Sequence, residues 1–310
     1  MTVADNSKAA FTFPGVGIEL SGAEPALYKR YQSIYTPFLE KGSEWAETDL
    51  AKSLTSSSID KLDEWESQVF IYCFSVGTFH VLKENGVTPD ITAGYSFGIY
   101  AALYASGVIS FSDGFEILKR AYLAIDDSKP EQEVGVCATV GLSLEDITYI
   151  IKSSGFRTIQ RINTNNEFCH LLCGKKEEIV PFQTKALDAE AIGAPILNIS
   201  HPYHHPLFSE KAKISLRDFI DTVQWNTPKF PFLSTIDKTI LSTVDKLKQF
   251  TADHLATPIN WHKTVELLYS KGCSRLIECG PGLSLTQNAR FISGKAQWIN
   301  TKNIQNRLGI

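Results

Sequence analysis

No apolar run in the 310 residues approaches the roughly 20 that a membrane-crossing helix needs. The first residues, Met1 to Lys8, lack the basic-then-apolar order of a secretory signal, so the chain is expected to be cytoplasmic. The six cysteines (Cys73, Cys137, Cys169, Cys173, Cys273 and Cys279) include no CxxC pair, and reduced core cysteines are expected rather than a metal site or disulfides. No extended basic stripe accompanies the net charge of −4, which argues against nucleic acid as a partner. Internal repeats and low-complexity linkers are also missing. What is present is ordinary: 43% hydrophobic and 21% charged residues, enough apolar material for a packed core and too much for disorder. The length suits one large domain with a smaller one inserted.

The order of elements narrows the fold. Ala9 to Phe13 reads as a buried strand that breaks at Pro14-Gly15-Val16-Gly17. Helices are predicted around residues 23–41 and 63–85, then a short strand at Ile91–Gly94 and a helix starting at Ile99. Strand–helix alternation of this kind implies an α/β architecture with a mostly parallel sheet. The middle third differs. Strands are predicted at Val134–Val140, Thr158–Ile162, Phe168–Cys173 and Pro195–Ile199, with helices opening at Ser143 and running from Lys175 to Asp188. That β-α-β-β-α-β order is the split βαβ pattern of a ferredoxin-like unit. The expected division is 1–132 with 200–310 as the large domain and 133–199 as the inserted subdomain.

Gly94-Tyr95-Ser96-Phe97-Gly98 fits a nucleophile elbow, a serine exposed on a sharp turn between strand and helix. The glycines relieve crowding in the turn, and the helix start aims N–H groups and a positive dipole end at the serine. Alone, the pentapeptide is a modest signal; a plain glycine-rich turn is the alternative. A serine hydroxyl also needs a base. Three of the seven histidines lie in Ser200-His201-Pro202-Tyr203-His204-His205-Pro206, and any of the three is a candidate. No nearby carboxylate or second cluster completes a metal ligand set. The amides of Pro14–Gly17 are candidates to complete an oxyanion hole. A dinucleotide-binding reading of Gly15-Val16-Gly17 fails, because Leu20 stands where the third glycine belongs.

Together these segments resemble the malonyl-CoA:acyl-carrier-protein transacylase family, which includes polyketide-synthase acyltransferase domains. Phe13–Gly17 is similar to its FPGQG, and Gly94–Gly98 with Tyr100–Leu103 to its GHSLGEYAAL. Leu118–Ala121 resembles the segment bearing its arginine, Ile162-Asn163 its asparagine segment, and Ser200–His204 its S-x-P-x-H. Thr257–Trp261 resembles its PVxW, and Ile277–Gly282 its VEVGPG. Seven matches in order span nearly the whole chain. The resemblance implies an α/β-hydrolase-like parallel-sheet domain with an inserted ferredoxin-like subdomain. It implies Ser96 as nucleophile, His204 as base, the His254 carbonyl as the group orienting that base, and the Val16 and Phe97 amides as oxyanion donors. Arg120 would pair with a malonyl carboxylate through its planar, bidentate fork; without the resemblance it reads as a helix-surface arginine. Asn163 and Tyr203 would contact substrate, with Tyr203 crowding an α-methyl branch and so favouring malonyl over methylmalonyl. No tightly bound cofactor is implied. Acyl-CoA would be the donor and a phosphopantetheinylated acyl carrier protein the acceptor and partner.

Three residues depart from the family pattern. Val16 replaces a glutamine, Tyr95 the histidine before the nucleophile, and Ile99 the glutamate after the elbow. They point away from housekeeping fatty acid synthesis and toward a discrete acyltransferase of a polyketide or similar pathway. Two alternatives stand beside this: a hydrolase clearing acyl groups from carrier proteins, and a non-catalytic docking module.

Overall fold

The computed structural model describes residues 8–17, 19–56, 58–199 and 201–310. The readings that touch Met1–Ser7, and Ser200 at the head of the histidine run, lie outside the described residues.

The strands are β1 (Lys8–Phe13), β2 (Ile91–Gly94), β3 (Val134–Val140), β4 (Gln160–Asn166), β5 (Cys169–Lys175) and β6 (Ile196–Leu197). After them come β7 (Phe232–Leu233), β8 (Ile240–Leu241), β9 (Ile259–Asn260), β10 (Cys273–Glu278) and β11 (Gln297–Ile299). They form two sheets, ordered β11-β10-β1-β2-β7-β8 and β6-β3-β5-β4-β9. Neighbours in the first sheet are parallel except β8, which returns antiparallel on β7. The fold is thus a mixed α/β structure around a parallel sheet.

Period-two alternation buries both faces of the first sheet. Phe11, Phe13 and Ile277 pack into one core cluster, whereas Ala10 and Leu276 pack into another on the opposite face. Between β1 and β2 run α1 (Glu24–Arg30), α2 (Gln32–Ala46), α3 (Leu50–Thr55) and α4 (Glu64–Glu84). A capping box between Asp63 and Glu66 starts α4. Every residue from Gln68 to Phe79 is buried, as a helix apolar on all sides requires. The single helix expected over 23–41 is two, because Tyr31 leaves helical geometry at φ −115°, ψ 37°. After β2 come α5 (Gly98–Ala105) and α6 (Phe111–Asp127).

The second sheet carries the β-α-β-β-α-β order, with α7 (Leu144–Ser154) and α8 (Lys176–Asp188) over its own core of Ile147, Ile150, Leu172, Ile179 and Phe182. The strand expected at Thr158–Ile162 begins later and continues through the polar run Asn163–Asn166. Two register shifts against β5 interrupt it, between Arg161 and Asn163 and between Thr164 and Asn166. A fifth strand was not foreseen: β9 pairs parallel with β4, Asn163 opposite Ile259 and Thr164 opposite Asn260. The remaining helices are α9 (Glu210–Ile220), α10 (Val244–Asp253), α11 (Trp261–Ser270), α12 (Ser284–Ala289) and α13 (Ile304–Leu308). No helix among the described residues is long and apolar enough to cross a membrane.

Candidate active site

The carboxyl ends of β1 and β2 lie side by side, Phe13 opposite Gly94, so the turns that follow them meet. Tyr95 N–H donates to the Phe13 carbonyl at 2.9 Å, and the chain then reverses into α5 through Gly98 N–H to the Tyr95 carbonyl at 2.8 Å. Ser96 sits at the apex with φ 52°, a left-handed conformation that a serine adopts only where its surroundings enforce it. Close approach demands the flanking glycine: a Cβ on Gly98 would stand 2.1 Å from the Phe13 carbonyl oxygen. Gly15, beside Val16, is as tightly placed, since its Cβ would fall 2.9 Å from the Ser96 Cβ. The Pro14–Gly17 turn is therefore in contact with the elbow, and Phe97 forms the N-cap of α5.

The base comes from 108 positions further along the chain. Ser96 Oγ and His204 Nε2 are 2.8 Å apart, both residues buried. On the other side of the ring, His204 Nδ1 is 2.8 Å from the His254 carbonyl oxygen. The backbone of His204 is also left-handed, at φ 62°, and its N–H donates to the Leu255 carbonyl at 2.7 Å. Burial holds the His204 imidazole down to about 4, against the opposing pull of the His254 and Thr257 carbonyls. At neutral pH the ring is thus uncharged. A carbonyl can only accept, so the proton lies on Nδ1 and Nε2 is free to accept the serine hydroxyl. The His254 side chain stands edge-on to the His204 ring at 4.8 Å between centroids. Burial drives it, too, well below the ordinary histidine range.

The other two histidines of the run have different surroundings. His201 lies between two carboxylates, with Nδ1 2.9 Å from Glu64 and Nε2 3.2 Å from Asp126. His205 Nε2 is 3.0 Å from the Thr158 carbonyl, and its ring stacks on Phe208. No group of three His, Cys, Asp or Glu that could hold a metal occurs among the described residues.

Tyr203 is buried, with its ring edge-on to Phe97 at 4.7 Å. Its hydroxyl accepts from Gln68 Nε2 at 3.1 Å. Gln68, buried on α4, was not singled out from sequence; nothing local distinguishes it from the apolar stretch it opens. Asn163 Nδ2 donates to the Tyr95 hydroxyl, which donates to Asn165 Oδ1 at 2.8 Å.

Among the described residues Arg120 makes no hydrogen bond to Ser96, His204 or Tyr203. It lies on the exposed stripe of α6 with Glu116, Lys119 and Leu123, and reaches Ser215 of α9 at 3.4 Å. The next residue, Ala121, is the one that faces the core.

No family model matches the chain. The malonyl CoA-acyl carrier protein transacylase of Bacillus subtilis is 26% identical over 300 residues, 96% of this chain and 92% of that protein. That of Haemophilus influenzae is 26% identical over 301 residues, 96% of each. Among solved structures, the acyl-carrier-protein S-malonyltransferase of Burkholderia pseudomallei superposes with a TM-score of 0.87 at 24% identity, covering 98% of this chain and all of that one. A malonyl-transacylase in complex with its type II PKS acyl-carrier protein gives 0.86 at 24% identity, covering 95% of this chain and 96% of that one. The resemblance read from the motifs is borne out along nearly the full length, and the fold is that of these acyltransferases.

Proposed function

We propose that the chain is an acyltransferase that moves a malonyl or related acyl group from CoA to the phosphopantetheine thiol of an acyl carrier protein. The reaction runs through an acyl-Ser96 intermediate, in polyketide or related secondary metabolism. The observation that carries this is the relay from Ser96 Oγ through His204 to the His254 carbonyl, with 2.8 Å at both contacts. His204 Nε2 takes the hydroxyl proton as the serine oxygen attacks the thioester carbonyl. The Val16 and Phe97 amides hold the oxyanion at the junction of the two turns. As the tetrahedral species collapses, the CoA sulfur leaves with the proton that His204 held. The second half reverses these roles with the carrier thiol. Asn163 and Tyr203 contact the substrate. No tightly bound cofactor enters the scheme, and the protein acts in the cytoplasm. Residues 1–132 with 200–310 serve as the catalytic domain and 133–199 as the inserted subdomain.

Intact-mass analysis after exposure to malonyl-CoA and acetyl-CoA tests the reading. An acyl adduct present in the wild type and absent in Ser96→Ala supports it. A wild type that forms no adduct while turning over acyl-CoA removes it.

The position of Arg120 favours a second reading on the same scaffold, a hydrolase that clears acyl groups from carrier proteins. With its guanidinium exposed and donating to Ser215 of α9, the arginine is not committed to a carboxylate, and an acyl group without one suits this reading. Release of free acid with no thiol-dependent transfer distinguishes this from the first.

A further inference from the structure

Tyr95 is adjacent to the nucleophile in sequence, yet its hydroxyl is committed elsewhere. It accepts from Asn163 Nδ2 and donates to Asn165 Oδ1 at 2.8 Å, both on β4 of the second sheet. The directions are fixed, because an amide nitrogen only donates and an amide oxygen only accepts. Asn163 is thereby turned so that its Oδ1 is left buried with no partner among the described residues. The ring of Tyr95 is held separately, edge-on to Trp261 at 5.4 Å. Two register shifts in β4 fall at this same stretch, as expected where a strand re-aims side chains toward a site.

The knot is not what attaches the second sheet. The β4–β9 pairing, the Arg161 guanidinium on the Ile259 carbonyl at 3.4 Å, and His205 against the Thr158 carbonyl all join the same two parts. What the Tyr95 hydroxyl adds is local: it joins β4 to the residue next to Ser96.

We propose that the Tyr95 hydroxyl is a positioning group, which by holding β4 against the elbow sets whether acyl-Ser96 is consumed by a thiol or by water. The inference rests on the acyl-Ser96 reading above. In either route His204 takes a proton from the incoming nucleophile, which adds to the acyl carbonyl. The serine oxygen then departs with that proton, giving a thioester with a thiol and a free acid with water. A loosened cleft admits water more readily than it loses the larger thiol, and so moves the ratio.

The test uses the full chain. Acyl-Ser96 is formed with radiolabelled acetyl-CoA and chased with pantetheine, and the ratio of pantetheine thioester to free acid is measured. This ratio does not depend on how much acyl-enzyme forms, so a general loss of folded protein leaves it unmoved. Tyr95→Phe keeps the ring on Trp261 but removes both bonds of the hydroxyl, and is expected to shift the ratio toward acid by at least about fivefold, the free energy of one hydrogen bond. Asn165→Ala, which spares the tyrosine, is expected to do the same and carries the test if Tyr95→Phe does not fold. The double variant is expected to match Tyr95→Phe alone, because the one bond that Asn165 makes to the hydroxyl is already gone in that variant. A ratio within about twofold of wild type in the folded single variants, or a double that multiplies their effects, overturns the proposal. A wild type that never acquires the label on Ser96 overturns the acyl-enzyme reading instead, an outcome readily told apart from these.

Discussion

At the scale of single residues, the chemistry depends on how two side chains 108 positions apart are held. Ser96 and His204 both occupy left-handed backbone, which costs each about 1 kcal/mol and is sustained by the packing around them. Burial does a second thing to His204. It disfavours the imidazolium and lowers the titration to about 4 from the ordinary 6.5, so the base is available across the physiological range. The acid limb of kcat/KM is therefore expected near pH 4; a limb near 6.5 would show a ring in contact with bulk water. Stability follows the same group. Between about pH 4 and 6.5 the unfolded chain binds the extra proton and the folded one does not. The contribution is complete above 6.5 and is lost as pH falls through that window, and denaturant titrations of wild type and His204→Gln at pH 5 and 7 would measure it. Replacing the base itself, His204→Ala, is expected to lower transfer by about 10²–10⁴-fold. The sequence made Ser96 legible through its glycines, but which of three neighbouring histidines faces it was legible only through the S-x-P-x-H resemblance and not from any local pattern. That depends on a left-handed turn at His204 and on a carbonyl from the end of α10, neither of which leaves a local pattern.

At the scale of elements, small shifts of phase decide what a side chain can do. A helix turns about 100° per residue, so Arg120 and Ala121 face different worlds: one on the solvent stripe, the other in the core. The assignment of Arg120 to a malonyl carboxylate rests on matching a motif to a segment, and on a helix a single position decides which face such a residue presents. Arg120→Ala is accordingly expected to change the preference for malonyl-CoA over acetyl-CoA by less than about twofold, within the range of ordinary surface substitutions. A selective loss of malonyl transfer would restore the carboxylate-clamp role. The elbow is the opposite case, because its spacing demands leave a sequence signature. A methyl on Gly98 would overlap the Phe13 carbonyl, and backbone there is pinned by β1 and the start of α5. Gly98→Ala is expected to cost about 3 kcal/mol or to abolish soluble folding, read from denaturant midpoints. The capping box at Ser143 likewise announced its helix. The polar strand Asn163–Asn166 did not announce itself, because its asparagines are buried by partners distant in sequence.

At the scale of the whole molecule, the question is whether the two sheets are one cooperative body. The order of predicted strands gave four members of the second sheet, since each has its own apolar pattern. The fifth, β9, is two residues long, and two residues carry no periodicity; only the proximity of β4 makes it a strand. Its effect is large for its size. It ties the chain after His254, whose carbonyl holds the base, to the strand whose asparagines hold Tyr95. Melting the second sheet thus removes contacts from both ends of the catalytic pair, and melting the first removes one edge strand from the second. A single transition is expected. All five tryptophans (Trp45, Trp65, Trp225, Trp261 and Trp298) lie outside residues 133–199, so their fluorescence reports the first sheet and its helices. A tryptophan introduced at the exposed Phe168 reports the second. In urea the two signals should share one midpoint, to within about 0.2 M, and one slope. Separate midpoints would mean that the second sheet opens on its own, and the shared strand would then be a contact rather than a coupling.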